Sequence, residues 1–98
     1  MEHGLSCQSI VVATNQQVWC ELGPEAAILN TKNSVYYGLN PVGANIWRLL
    51  QQPRSIGEIR DEIAREYDVS RERLEKDLLC LVKKLLEEGL VELNGERK

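Results

Sequence analysis

From Ile10 to Leu39 the apolar residues come in short runs separated by polar breaks, whereas from Asn40 to Leu90 they recur every three or four positions. The first pattern is that of strands and the second that of amphipathic helices. Ile10-Val11-Val12-Ala13 and Val18-Trp19-Cys20-Glu21-Leu22 are rich in β-formers and are interrupted by Asn15-Gln16-Gln17, as in a single bent or broken strand. Gly23-Pro24 then makes a turn. Ala26 to Asn30 and Val35 to Leu39 flank the four polar residues Thr31-Lys32-Asn33-Ser34, which suit a hairpin loop between antiparallel strands. A three-stranded meander is therefore predicted for the N-terminal part.

Three helices are predicted to follow. Asn40 caps the first and Pro41 fits its first position; Val42, Ile46, Leu49 and Leu50 form its apolar stripe, which ends before Pro53. Ser55-Ile56-Gly57-Glu58 has the spacing of a capping box, and Ile56, Ile59, Ile63 and Tyr67 continue a second helix up to Asp68-Val69-Ser70. The third runs from about Arg71 to Glu88, with Gly89 as the left-handed residue that ends it and Leu90 closing an apolar contact. Val91-Glu92-Leu93 forms a short strand or extended tail. On the third helix Leu74, Leu78, Leu81 and Leu85 make one stripe and Leu79, Val82 and Leu86 a second beside it, together about 160° of arc at 100° per residue, against the roughly 100° that a helix resting on a small domain requires. Either the sheet and two helices cover both stripes, or the second lines a groove for a partner.

Ninety-eight residues leave room for a single domain, expected over 1–98 with frayed tails at 1–8 and 94–98. No apolar run approaches the roughly 20 residues of a membrane span, and the start lacks the basic region of a signal peptide, so a cytoplasmic protein without membrane contact is expected. Cys7, Cys20 and Cys80 are odd in number and form no Cys-x-x-Cys pair, which points to free thiols and not to disulfides or zinc. The single histidine, His3, lies in the expected N-terminal tail, and there is no nucleophile elbow, phosphate loop or His-Glu-x-x-His run. Neither an enzyme acting alone nor a bound cofactor or metal is indicated.

Three strands with three helices, the last one long and preceded by a tight turn, give an α+β fold of winged helix-turn-helix type, an architecture that often binds DNA. The charge balance opposes nucleic acid as a partner. The net charge is −3, and between Ser70 and Glu88 five basic residues (Arg71, Arg73, Lys76, Lys83, Lys84) meet five acidic ones (Glu72, Glu75, Asp77, Glu87, Glu88), so this helix would gain little from counterion release. A small DNA-binding regulator is the alternative to a peptide-binding function. For the latter, Val35 to Leu39 offers a lightly charged edge strand to which a peptide could add. Along it Val35, Tyr37 and Leu39 point one way and Tyr36 the other. Both tyrosines suit either half-buried sheet packing or contact with a ligand.

Tyr37-Gly38-Leu39-Asn40-Pro41-Val42-Gly43-Ala44-Asn45-Ile46-Trp47, then Tyr67-Asp68-Val69, Glu75-Lys76-Asp77 and Leu85-Leu86-Glu87-Glu88-Gly89-Leu90-Val91, resemble the PqqD-like recognition domains, and in particular the stand-alone recognition subunits of lasso-peptide biosynthesis. The resemblance spans roughly Val18 to Leu93. It implies a non-catalytic adaptor that binds the leader of a ribosomally made precursor, typically carrying a Tyr-x-x-Pro pattern, as an added strand. It also implies delivery to a separate leader-cleaving cysteine protease and a macrolactam-forming cyclase. Carried onto this sequence, Val35, Tyr36, Tyr37, Gly38 and Leu39 supply the strand, and Leu74, Asp77, Leu78, Leu81, Val82 and Leu85 the helix wall. Glu75 and Asp77 are either partners for basic leader residues or solvated helix charges. Asn30 stands where relatives often have Asp, and is expected to accept turn hydrogen bonds in its place. Many relatives are fused to the protease, and no such half occurs before Lys98, so a partner in trans is expected. Val35→Pro is expected to weaken strand addition by removing an edge donor, unless that N–H points inward.

Overall fold

The computed structural model describes residues 5–94. Its elements are β1 (Ile10–Ala13), β2 (Gln17–Leu22), β3 (Glu25–Asn30), β4 (Val35–Leu39), α1 (Pro41–Leu49), β5 (Arg54–Ser55), α2 (Ile56–Glu66), α3 (Arg71–Glu87) and β6 (Val91–Leu93). The fold is α+β, with the expected antiparallel meander in the order β2-β3-β4 and three helices after it.

The N-terminal run is not one bent strand. β1 leaves the meander and joins a second antiparallel sheet in the order β5-β1-β6, pairing Ile10 with Ser55 and Ala13 with Val91. The break at Thr14 is fixed by residues distant in sequence: its N–H donates to the Leu90 carbonyl at 2.9 Å and its hydroxyl to the Gly89 carbonyl at 2.8 Å. Part of the expected tails makes contacts with the body. Leu5 packs against the core, the Cys7 carbonyl accepts the Gly57 N–H at 2.9 Å, and at the other end the Asn94 N–H donates to the Ile10 carbonyl at 2.8 Å. The remaining tail residues, His3 among them, lie outside the described residues.

The helix boundaries follow the local signals. Asn40 Oδ1 accepts the Gly43 N–H at 2.8 Å with Pro41 in the first turn, and Ser55 and Glu58 form the reciprocal capping box of α2. Gly89, at φ 75°, ends α3 in a Schellman arrangement in which the Leu90 N–H reaches the Leu85 carbonyl at 2.9 Å and the Gly89 N–H reaches the Leu86 carbonyl at 3.1 Å. One core gathers Val11, Ile28, Trp47, Leu50, Ile56, Ile59, Ile63, Leu78, Val82 and Leu90 from both sheets and all three helices. Trp47 meets Trp19 of β2 edge to face, ring centres 6.3 Å apart, which ties the meander to the helical body. Among the described residues no helix is long and apolar enough to cross a membrane.

Candidate peptide-binding groove

Strand β4 begins where Ser34 takes a left-handed conformation at φ 61° and its N–H donates back to the Asn30 carbonyl at 2.8 Å, closing the loop after β3. From there β4 pairs with β3 along one side, Val35 opposite Asn30 through to Leu39 opposite Ala26. Its other side is an edge, since among the described residues β4 is the last strand of its sheet. The alternation is the expected one: Tyr37 and Leu39 pack against the core, while Tyr36 is 71% exposed on the outer face. The Val35 N–H, expected as a free edge donor, is accepted by Asn33 Oδ1 at 3.0 Å within the hairpin loop.

On α3 the core face is built from parts of both predicted stripes. Leu74, Leu78, Val82 and Leu85 are buried, with Leu79 and Leu86 half-buried on one flank and Leu81 on the other. Leu81, Leu78 and Leu74 turn their free side toward a groove of about 740 Å³ that begins at Gly38 and Leu39. Val42, Gly43 and Ile46 of α1 form its floor, Val69 and Ser70 of the α2–α3 turn its far end, and Arg73 and Asp77 its polar rim. Gly43 suits the tightness of this corner, because a Cβ there would stand 3.3 Å from Asn40 Oδ1, which would have to give by a few tenths of an ångström, and 3.5 Å from the Leu39 side group.

Of the residues predicted for the site, Gly38, Leu39, Leu74, Asp77, Leu78 and Leu81 converge on the groove, and Val35, Tyr36 and Tyr37 continue along the same strand beyond it. Val82 and Leu85 are the correction. Both are core residues beneath the helix and do not line the groove, because the body packs under α3 off-centre from its leucine stripe. Sequence reasoning missed Val42, Ile46, Val69 and Arg73. Val69 carried a usable signal, an apolar residue between Asp68 and Ser70 in an otherwise polar turn, and it is left 41% exposed.

The charged residues divide by face. Arg73 and Asp77 stand 3.9 Å apart at the groove rim, both well exposed. Glu75 faces away toward α2, where Arg60 Nη1 donates to it at 2.9 Å, and it is not a free partner for a basic ligand. The Cys7 thiol and the Arg60 guanidinium beside it hold the Glu75 carboxyl below the ordinary carboxylate range, and Arg60 and Arg71 do the same for Asp61. Partial burial, and the neighbouring Glu75, push the Cys7 thiol up. The three cysteines are free, and among the described residues no cluster of three metal-ligating groups forms.

A small α+β domain whose free sheet edge runs into an apolar groove against its longest helix has the build of a peptide-recognition module. Residues 25–91 match the family described as Coenzyme PQQ synthesis protein D (PqqD), and the protein belongs to that family. It is 36% identical over 76 residues to the PqqA binding protein of Gluconobacter oxydans (strain 621H), a match over 78% of this sequence and 70% of that one. Among solved structures it is similar to TbiB1 in complex with the TbiA(beta) leader peptide, with a TM-score of 0.76 and 31% identity over 89% of this protein and 99% of that one. Lasso peptide synthetase B1, complexed with the leader peptide, shares the fold with a TM-score of 0.73 at 23% identity, over 84% of this protein and 96% of that one.

Proposed function

We propose that this protein is the stand-alone leader-recognition subunit of a lasso-peptide system, acting in the cytoplasm. It binds the precursor's leader as a strand on the free edge of β4, with leader residues of the Tyr-x-x-Pro pattern seated in the groove. The observation that carries this reading is the continuity of an edge strand with an apolar groove, in a protein 31% identical to TbiB1, whose structure holds a leader peptide. Backbone hydrogen bonds along the free edge of β4, where the Val35 N–H is already held by Asn33, set the register, and the groove formed with Leu74, Leu78 and Leu81 selects side groups; Asp77, with Asp68 in the turn before α3, adds carboxylates to its lining. The protein performs no bond-breaking itself. A separate leader-cleaving cysteine protease and a macrolactam cyclase act on the held peptide, and the adaptor's contribution is effective concentration and orientation of the scissile bond.

The test is a titration of a fluorescently labelled Tyr-x-x-Pro leader followed by anisotropy at low and high salt. Saturable binding that persists at high salt is expected, together with a loss of about tenfold or more for Leu81→Arg or for a leader N-methylated along its strand segment. No leader binding, with duplex DNA retained at low salt, would overturn the reading in favour of a DNA-binding regulator.

A further inference from the structure

The hairpin grips the end of α3 at a point outside the groove. Asn30, the last residue of β3, is 2% exposed although it is polar. Its Nδ2 donates to the Glu88 backbone carbonyl at 2.9 Å while its Oδ1 accepts the Lys32 N–H at 2.9 Å. From the next strand the Tyr37 hydroxyl donates to Glu88 Oε1 at 2.6 Å. Glu88 is the C-cap of α3, so one residue is held by its backbone from β3 and by its carboxylate from β4. The Schellman turn that follows uses the carbonyls of Leu85 and Leu86 and leaves that of Glu88 for Asn30. The Tyr37 hydroxyl is pushed above its ordinary value, mainly by this hydrogen bond to Glu88.

The other end of the same pair of elements has no such tie. Among the described residues no hydrogen bond joins Gly38 or Leu39 to α3, and there the groove opens between Leu39 on one side and Leu74, Leu78 and Leu81 on the other. The two walls are thus tied together at Glu88 and untied beside the groove, whose lining extends to Val69 and Ser70.

We infer that Asn30, Tyr37 and Glu88 act as a clamp that sets the spacing between β4 and α3, so that the groove is held at working width before any peptide arrives. The three are positioning residues: their side chains act on each other and on the end of α3, and only the Tyr37 backbone belongs to the strand that the proposed leader joins. The inference rests on the reading that β4 and α3 receive a peptide. Its physical basis is that an unpinned wall must be ordered during binding, and that ordering is subtracted from the affinity. Tyr37 is a more suitable donor than a long flexible residue such as lysine, because its ring packs against the core and leaves the hydroxyl little freedom.

The test has one arm with peptide and one without. In leader titrations Tyr37→Phe and Glu88→Ala each lose about tenfold in affinity, and the double variant loses no more than either single one, because both break the same contact. Glu88→Gln retains most of the affinity, since its amide oxygen still accepts from Tyr37. In the second arm Cys7, Cys20 and Cys80 are replaced by Ser and spin labels are attached at Tyr36→Cys on β4 and Lys84→Cys on α3. Double electron–electron resonance then measures the spacing in the free protein. A narrow distance distribution is expected, broadened by Tyr37→Phe and Glu88→Ala and left narrow by Glu88→Gln. An unchanged distribution in Tyr37→Phe and Glu88→Ala overturns the clamp whether or not peptide binds. A parent protein that ignores the leader while its distribution still responds overturns the binding reading alone.

Discussion

In the β5-β1-β6 sheet Val11 is fully buried and Val91 nearly so, while in the β2-β3-β4 sheet Val18 is 56% and Tyr36 71% exposed. In the first sheet each paired strand lies more than 40 residues from its partner, and the sheet is flanked by Leu5, the N-terminus of α2 and the turn after α3. The second is local in sequence, its strands joined by short turns. Its outer face carries the cross-strand row Val18, Leu29 and Tyr36, and its last strand is unpaired on one side. Two sheets of equal strand number thus serve different ends. The small one ties the ends of the described region to the helices, and the meander, held on one side only, keeps surface available.

Two experiments test that division and a third the helical body between the sheets, in order of expected effect. Trp47 bridges the two regions through its contact with Trp19, so Trp47→Ala removes a buried indole from both. A loss of about 3–5 kcal/mol is expected in a denaturant titration, comparable to much of the total stability of a domain this size. Next, the same substitution can be made in each sheet. Val11→Ala is expected to cost about 2 kcal/mol, from two buried methyl groups and the cavity they leave, while Val18→Ala stays within about 0.5 kcal/mol. Equal costs in the two unfolding curves would erase the contrast.

The smallest effect concerns acid. Glu75 and Asp61 both have carboxyls held below their ordinary range, so the stability they add is fully present above about pH 4.5, the ordinary value for glutamate, and is lost as pH falls through their lowered folded-state values. Both are substantially exposed, which limits the gain through solvent screening. Melting temperature followed from pH 5 to pH 2 should drop less in Glu75→Gln than in the parent protein, since the substitution removes one of the two titrating groups.

What could be read from the sequence was local. Asn40, Ser55 with Glu58, and Gly89 act within four residues of their own positions, so their spacing alone placed all three helices and the groove-forming corner at Leu39. The second sheet was not legible because β5 and β6 are two and three residues long and meet β1 only through tertiary packing. The helix wall was half legible. A wheel shows that α3 has surplus apolar arc, but which flank is covered depends on where α2 and the sheets sit, and that choice put Val82 in the core and Leu81 in the groove. Asn30 was expected to serve its own turn, and it does through Lys32; its bond to Glu88, 58 residues away, left no trace in spacing.

The unpaired side of β4 also bears on handling the protein in quantity. A five-residue edge with no charged residue from Val35 to Leu39 is as open to a second copy of itself as to the leader proposed above. Whatever occupies that edge therefore also acts as its solubiliser, and preparations made together with the peptide should stay dispersed at concentrations where the vacant protein gathers into oligomers.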